Sequence, residues 1–275
     1  MLHPGEMGAV IGGLLVEAGH HVRWVSEDRS PLSRARAVGH GLVEVATLAQ
    51  GLQGASFVVS VVPPDHALGT AREVAAAGFD GVYLDANAIA SSEVAAVGEL
   101  FSGTRCQLCD GGIIGPPPRR AGTTRLVLSG PPAEEVARLF GASALDTEVL
   151  GDAVGTASAY KVGFAAWTKG TAALALVLDS YLARHGLGDL LRQEWERRDI
   201  DVAARIETAR RGAVPKGWRF AGEMEQIATA LADVGLPDGW FTAAADAYRR
   251  LEPFKDQFER PPSLEEVRNA LGGEA

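Results

Sequence analysis

Two kinds of hydrophobic pattern alternate along the first half of the chain. Short runs of β-branched and aromatic residues predict buried strands at residues 21–25, 57–62, 81–85 and 125–129. Between them, alanine, leucine and glutamate recur at helical spacing, for example at residues 71–77 and 92–101. Continuous apolar strands that alternate with helices are typical of a parallel sheet covered on both faces. The pattern therefore predicts a doubly wound α/β domain at residues 1–150.

The pattern changes near Gly151, and no strand pattern follows it. An alanine- and leucine-rich segment at residues 157–185 has few helix-breaking residues and predicts one long helix. Further helices are predicted at residues 187–211, 223–234, 239–251 and 263–271, with prolines between them. The second half is thus expected to be an all-α domain at residues 151–275 that is built on the long helix.

The chain opens on a glycine-containing turn that leads directly into an apolar helix. The exposed N–H groups of such a helix N-terminus bind phosphate. The dinucleotide fingerprint of a Rossmann-type domain reads G-x-G-x-x-G, and Gly5 and Gly8 occupy its second and third glycine positions. His3 stands where the first glycine is expected. The turn predicts cofactor contacts from His3, Pro4, Gly5, Glu6, Met7 and Gly8.

Only Met1 and Leu2 precede this turn, so the first strand of the Rossmann-type domain is expected to be truncated. Because that strand leads into the phosphate-binding turn, its loss is expected to weaken cofactor binding and to lower stability. The alternative is a misassigned start, in which case an upstream β-branched segment would supply the strand.

The residues after the second strand position decide which nicotinamide cofactor fits. In this fold they meet the adenosine ribose. Arg29, with Ser26 and Ser30, could hold a 2′-phosphate and favours NADP, because Ser26 takes the place of the usual discriminating carboxylate. Glu27 and Asp28 could bind a free 2′-hydroxyl, which leaves NAD as the alternative cofactor. In a third interpretation this is a solvated loop in which Arg29 contacts nothing.

Two further segments follow predicted strands at the carboxyl edge of the sheet, where ligands bind in this fold. Val62 and Pro63 end one strand, and Asn87 follows the next. The Asn87 amide offers both a donor and an acceptor for a nicotinamide or a substrate. A simple turn-forming role for Asn87 is the alternative.

A glycine- and proline-rich segment at residues 110–118 predicts a loop with backbone groups open to a ligand. Its candidate substrate contacts are Gly111, Gly112, Ile114 and Gly115, and a rigid connector is the alternative. Lys161 lies near the start of the long apolar helix, where burial would prepare a lysine for proton transfer. The alternative there is a lysine whose ammonium reaches solvent past an apolar stem.

Composition restricts the class of protein. The chain has 275 residues, 47% of them hydrophobic and 22% charged, as in folded soluble proteins. Its net charge of −9 disfavours a nucleic-acid partner, and no run is long enough to span a membrane. Cys106 and Cys109 are expected to be structural thiols in a reducing cytoplasm, with no metal site.

Taken together, these segments resemble the β-hydroxyacid dehydrogenase superfamily, which includes 6-phosphogluconate and 3-hydroxyisobutyrate dehydrogenases. The chain is most similar to a branch whose C-terminal domain was formerly of unknown function. The resemblance covers nearly the whole chain and rests on residues 5–8, 85–88, 110–118, 155–161, 218–227 and 235–237. It implies hydride transfer between a nicotinamide and a small carbonyl or alcohol carbon. It also implies that Lys161 is the general acid/base and that the helical domains form a homodimer.

The chain departs from the pattern of that superfamily in three places, two single residues and one short segment. Ala165 replaces an asparagine four residues after the lysine, and Ile114 replaces the serine of the substrate loop. Glu223 and Glu225 lie near the place of a late lysine and are expected to reverse the local charge. We therefore expect a less anionic small-molecule substrate that bears an amine, an imine or a bulky apolar group, with Glu223 or Glu225 facing its positive end. Trp218 is expected to form part of the wall of this site. The alternative function is a nucleotide-binding sensor or scaffold that has lost turnover.

Overall fold

The computed structural model describes residues 1–141 and 143–272. The chain divides into two compact units, Met1–Val162 and the residues from Gly163 onward.

The first unit is built on a mainly parallel β-sheet. The strands are β1 (Arg23–Val25), β2 (Val43–Val45), β3 (Phe57–Ser60), β4 (Val82–Asp85), β5 (Gln107–Ile114), β6 (Arg125–Ser129) and β7 (Asp146–Val149). β1 and β2 form a parallel pair, and the other five form a sheet in the order β3-β4-β5-β6-β7. Only the β5–β6 pair of this sheet is antiparallel.

The first two residues lie between β1 and β3. The terminal amine of Met1 donates to the Arg23 carbonyl at 3.0 Å, and the Leu2 amide donates to the Val59 carbonyl at 3.2 Å. These bonds place Met1 and Leu2 where the truncated first strand was expected.

Helices cover both faces of the sheet. They are α1 (Glu6–Glu17), α2 (Pro31–Gly39), α3 (Leu48–Leu52), α4 (Ala67–Ala76), α5 (Ser91–Leu100) and α6 (Ala133–Leu139), and α7 (Thr156–Ala165) begins in this unit. Val59 and Leu84 pack into one core with α1, while Val58 and Tyr83 pack into a second core with α4 and α5. Because neighbouring strand residues point to opposite faces, the two cores lie on opposite sides of the sheet, as the continuous apolar strands predicted.

Within its described residues, the second unit consists of helices joined by loops and contains no strand. Its helices are α8 (Thr171–Arg184), α9 (Gly188–Glu196), α10 (Val202–Thr208), α11 (Gly217–Asp233), α12 (Gly239–Arg250) and α13 (Leu264–Gly272). The prediction of one helix over residues 187–211 was wrong. Asp199 takes a left-handed φ of 54°, and the Asp201 side chain accepts from the Ala204 amide at 2.9 Å, so a new helix begins there.

The predicted long helix also differs from the structure. A π-helical turn at Ala166–Gly170 separates α7 from α8. Such turns insert one extra residue per turn and are frequent at functional sites. The alanine-rich composition of this segment gives no sign of the interruption, since every residue except Gly170 is compatible with an α-helix.

Candidate functional site

Gly5 and Gly8 have different roles in the opening turn. A β-carbon at Gly8 would lie 2.4 Å from the His3 carbonyl oxygen, so only glycine lets α1 approach the turn. A β-carbon at Gly5 would meet nothing within 4 Å. Gly8 therefore closes the packing of the turn, while Gly5 leaves space in front of the N-terminus of α1 for a ligand.

His3 brings an uncharged ring to this turn. Burial, and then the neighbouring charges of Arg29 and His66, lower its pKa to about 4. Its Nδ1 atom is buried and has no hydrogen-bond partner among the described residues. The charge of Arg29 and the positive N-terminal end of α1 make the turn suited to an anion.

The loop after β1 presents one cation to solvent. Arg29 is exposed, and its guanidinium makes no hydrogen bond or ion pair within the described part of the chain. The Ser26 hydroxyl donates to the Val45 carbonyl at 3.2 Å, and the Ser30 hydroxyl accepts from the Ser33 amide as the cap of α2. Of the three predicted 2′-phosphate ligands, Arg29 has the most hydrogen-bonding capacity left for a ligand.

Asn87 is buried and holds two strand ends together. Its Oδ1 accepts from the Val62 amide at 2.6 Å, and its Nδ2 donates to the Ser60 hydroxyl at 3.2 Å. Because Asn87 accepts from the Val62 amide, it fixes the backbone at Val62–Pro63. This geometry corresponds to the turn-organising alternative, and burial of the side chain limits the access of a ligand to the rest of the amide.

Asp85 is a buried acid next to Asn87. The Asn87 amide donates to Asp85 Oδ1 at 3.0 Å, whereas Asp85 Oδ2 has no partner among the described residues. Burial, reinforced by the charge of Asp110, raises the pKa of Asp85 to about 7. The Asp85 carboxyl is therefore mostly protonated below about pH 7.

The predicted loop at residues 110–118 was wrong in its first half, because β5 continues to Ile114. Gly111 and Gly112 are buried inside this strand and face protein atoms. A β-carbon at Gly112 would lie 2.9 Å from the Ala157 carbonyl oxygen and 3.1 Å from Lys161 Cβ. Gly112 is therefore a packing position for α7, and Gly111 is likewise enclosed by Leu84 and Leu126 side chains.

Ile114 and Gly115 begin the turn that leaves β5. Ile114 is half-buried and Gly115 is exposed, with a left-handed φ of 122°. A β-carbon at Gly115 would lie 2.4 Å from the Thr123 carbonyl oxygen, so this turn requires glycine. Of the four predicted loop contacts, these two remain accessible to a ligand.

Lys161 lies on α7 and reaches back to the end of β5. Its ammonium donates to the Ile113 carbonyl at 2.5 Å. The Ser91 hydroxyl donates to the Gly155 carbonyl at 2.9 Å, which fixes the residue before the helix. Lys161 is half-buried, so its amine is neither sealed in the core nor fully solvated.

In the second unit, Glu223 forms an ion pair with Lys169. The Lys169 ammonium also lies 4.2 Å from the centre of the Phe220 ring. Glu225 pairs with Arg249. Each carboxylate is therefore matched by a cation of the second unit, and the expected reversal of charge stays a prediction.

Trp218 lies among polar groups of the second unit. Lys255 lies 4.0 Å from the centre of its ring, and the Trp218 indole donates to Asp256 at 3.4 Å. The substrate-wall role of Trp218 stays a prediction.

Sequence reasoning missed a buried polar network around Asp110. Its carboxylate accepts from the Ser129 hydroxyl and from both the amide and the hydroxyl of Ser158. No local spacing reveals this network, because its members come from three separate elements.

The opening turn and the loop after β1 fit a dinucleotide. The open space at Gly5, the unpartnered Nδ1 of His3 and the exposed Arg29 guanidinium would suit a pyrophosphate and an adenosine phosphate.

Cys106 and Cys109 are free, buried thiols, and burial raises their pKa to about 11 and about 12. Within the described ranges, no cluster of three or more His, Cys, Asp and Glu side chains is arranged to hold a metal ion. Over the same residues, no helix combines the length and apolar character needed to cross a membrane.

Comparison with known proteins places these features in a family context. Residues 183–251 match the family described as Domain of unknown function (DUF1932). No protein among the curated sequences compared with the chain matches it significantly.

Solved structures are similar over almost the whole chain. Conserved protein MTH1747, of unknown function and structurally similar to 3-hydroxyacid dehydrogenases, is 25% identical with a TM-score of 0.70, covering 98% of each chain. Mycobacterium tuberculosis 3-hydroxyisobutyrate dehydrogenase, solved with L-serine, is 17% identical with a TM-score of 0.73, covering 99% of this chain and 100% of that one.

A reductive aminase from Aspergillus terreus, solved with NADPH and ethyl levulinate, is 15% identical with a TM-score of 0.53, covering 97% of this chain and 96% of that one. In fold the chain is therefore 3-hydroxyacid dehydrogenase-like and carries a DUF1932 segment, which confirms its resemblance to the β-hydroxyacid dehydrogenase superfamily.

Proposed function

We propose that the protein is an NAD(P)-dependent oxidoreductase that transfers hydride between a nicotinamide and a small carbonyl, alcohol or imine substrate. The observation that carries this proposal is the position of Lys161. Its half-buried ammonium is held by the Ile113 carbonyl at the end of β5. The opening turn, which fits a pyrophosphate, supports the same function.

Lys161 acts as the general acid of the reduction. A nicotinamide cofactor, when bound, would supply the hydride for this reduction. The Lys161 ammonium donates a hydrogen bond to the carbonyl oxygen or imine nitrogen and passes its proton to that atom as negative charge develops there. In the oxidation direction the neutral amine takes the proton back. The Ile113 carbonyl accepts a second Lys161 N–H and keeps the side chain at the edge of the sheet.

NADP is the proposed cofactor, with NAD as the alternative. Arg29 is the cation available for a 2′-phosphate, since the Ser30 hydroxyl already caps α2. Replacing Arg29 with alanine should weaken NADPH binding about 10-fold or more and leave NADH binding nearly unchanged. Fluorescence titration measures both, and Arg34→Ala, which breaks an exposed pair with Glu44, is the matched control. Equal losses for the two cofactors would contradict the assignment.

The main test of function is turnover by Lys161 variants. The reduction panel is ethyl levulinate with and without a primary amine, and the oxidation panel is L-serine and 3-hydroxyisobutyrate. Lys161→Met should lower turnover by about 100-fold or more, while NADPH binding stays intact. Lys161→Arg keeps the charge but not the acidity and should be similarly impaired. Full activity of Lys161→Met would overturn the proposed role.

Ile114 bears on the substrate class. It is half-buried at the end of β5, and its apolar side chain offers no hydroxyl to hold a carboxylate. We propose a substrate of low net charge, with reduction of C=O or C=N. Exclusive turnover of hydroxycarboxylates would contradict this. Saturable NADPH binding without turnover of any member of the panel would instead favour the nucleotide-sensor alternative.

We also propose that the chain forms a homodimer through the second unit. Large apolar side chains are exposed on the helical segment from Phe164 to Tyr181; we call Phe164, Trp167, Val177, Leu178 and Tyr181 the exposed apolar stripe. A two-fold interface pairs one patch with itself, and an uncharged stripe is compatible with its own copy.

A further inference from the structure

Asp110 is fully buried in β5 and accepts three hydrogen bonds. Its Oδ2 accepts from the Ser129 hydroxyl at 2.9 Å and from the Ser158 amide at 3.0 Å, and its Oδ1 accepts from the Ser158 hydroxyl at 2.6 Å. The Ser129 hydroxyl in turn accepts from the Ala157 amide at 3.0 Å. One carboxylate therefore joins β5, β6 and the first turn of α7.

Asp110 and Ser129 accept hydrogen bonds from backbone N–H groups in the first turn of α7. The first N–H groups of an α-helix have no partner within the helix, and the peptide dipoles place positive charge there. Ala157 and Ser158 are both buried, so water cannot replace their acceptors. The buried carboxylate and the Ser129 hydroxyl satisfy these donors in place of a local cap.

Steric contact fixes the same turn. At Gly112, two residues after Asp110 on β5, a β-carbon would lie 2.9 Å from the Ala157 carbonyl oxygen. It would also lie 3.1 Å from Lys161 Cβ. The space between α7 and β5 therefore has no room for a side chain at residue 112.

Lys161 is three residues beyond Ser158, about one helical turn along α7. Its ammonium returns to the same strand at the Ile113 carbonyl. The segment from Ser158 to Lys161 is thus attached to β5 at both ends, by Asp110 at one end and by Ile113 at the other.

We propose that Asp110 is the positioning residue for Lys161: it holds the first turn of α7 so that the ammonium meets the end of β5. This rests on the proposed role of Lys161 as the acid/base. Asp110 acts on Lys161 only through the helix and contacts neither substrate nor cofactor. Without its carboxylate, the buried Ser158 amide has no acceptor, and the turn that carries Lys161 must shift or fray.

The test observes Lys161 directly in the full chain. Reductive methylation with ¹³C-formaldehyde labels the amines, and NMR resolves them, because the chain has few lysines: Lys161, Lys169, Lys216 and Lys255. Lys161→Arg assigns the resonance. Asp110→Ala should shift the Lys161 methyl resonance and change its titration midpoint, while the other three lysine resonances stay in place.

Two variants separate positioning from loss of stability. Asp110→Asn is the conservative variant, because its oxygen can accept from the Ser158 amide and its NH₂ can donate to a rotated Ser158 hydroxyl. It should restore the Lys161 resonance. Asp179→Ala removes a different buried carboxylate, paired with Arg268 in the second unit, and should leave the Lys161 resonance unchanged. If Asp110→Ala does not fold, Ser129→Ala and Ser158→Ala should give smaller shifts in the same direction.

An unmoved Lys161 resonance in folded Asp110→Ala, or in both serine variants, would overturn the inference. This readout needs neither cofactor nor substrate, so it is independent of the proposed function. A shifted resonance together with full turnover by Lys161→Met would refute the catalytic proposal and leave the positioning intact. Loss of turnover in Lys161→Met with an unmoved resonance in Asp110→Ala would refute the positioning alone.

Discussion

Single residues at the sheet edge have protonation states set by burial. Burial raises the pKa of Asp85 to about 7 and lowers that of His3 to about 4. Burial therefore favours the uncharged form of both groups, because a charged group loses more hydration free energy when it leaves water. Their contributions to the pH dependence of stability have opposite signs.

For Asp85 the native carboxyl keeps a proton that the unfolded chain has lost between about pH 4 and pH 7. Because the native state binds more protons in that window, stability falls as pH rises through it. His3 has the opposite slope between about pH 4 and pH 6.5. Asp85→Asn cannot ionise, so its free energy of unfolding should not fall through this titration. The difference in that free energy between the variant and the wild type should therefore favour the variant more at pH 8 than at pH 5. Urea denaturation at both pH values measures this, and a pH-independent difference would contradict it.

Alanine variants of Gly5 and Gly8 test the two roles of the opening turn separately. Gly8→Ala places a β-carbon against the His3 carbonyl and should lower the melting temperature by several degrees. Gly5→Ala has free space and an ordinary φ of −67°, so it should melt like the wild type. Gly5→Ala should still weaken NADPH binding, because the added methyl group faces the phosphate site. Normal NADPH affinity in Gly5→Ala would place the pyrophosphate elsewhere.

At the scale of elements, the π-helical turn at Ala166–Gly170 is held by a distant tyrosine. The Tyr248 hydroxyl on α12 donates to the Lys169 carbonyl at 2.8 Å. Burial, and then the charge of Glu223, raise the pKa of Tyr248, so the phenol stays protonated and remains a donor. Phe220 packs edge-on against the same ring at 5.4 Å.

Tyr248→Phe deletes this bond and leaves the Lys169 carbonyl without that donor. The variant should be about 1–2 kcal/mol less stable in urea denaturation. Tyr160→Phe is the control, because the Tyr160 side chain is exposed and lies outside the exposed apolar stripe, and it should change stability little. Equal stabilities of Tyr248→Phe and the wild type would show that the π-turn does not depend on the hydroxyl.

The hydrophobic pattern predicted the α/β fold followed by helices because buried parallel strands read as continuous apolar runs. It missed β2 and β7, whose sequences Val-Glu-Val and Asp-Thr-Glu-Val are short and largely exposed or half-buried. It also predicted a loop from residue 110, where β5 continues to Ile114, since glycines inside a strand look like a loop. Lys161 was assigned a role by family resemblance, whereas the partners of Asp110 lie 19 and 48 residues away and leave no local signal.

For the whole molecule, the exposed apolar stripe predicts the oligomeric state. Trp167 is 67% exposed and Tyr181 is 58% exposed, which is unusual for large aromatic side chains in one segment. Burying them against a second copy would remove this surface from water.

Leu178→Glu places a charge in the exposed apolar stripe and should convert the dimer to a monomer. Light scattering coupled to size exclusion measures the mass. Val38→Glu is the control, because Val38 is also an exposed apolar side chain but lies on α2 of the first unit. A monomeric wild type, or a Leu178→Glu variant that stays dimeric, would contradict the proposed interface.

The Asp110 network also constrains the order in which the first unit assembles. Because its members are far apart in sequence, it can close only after β5 has paired with β6 and α7 has docked. The first turn of α7 is therefore expected to form late in folding. Amides at a helix N-terminus usually exchange quickly with deuterium, but those of Ala157 and Ser158 are bonded to buried side chains. Their exchange should report the undocking of α7 from the sheet and not the fraying of a helix end.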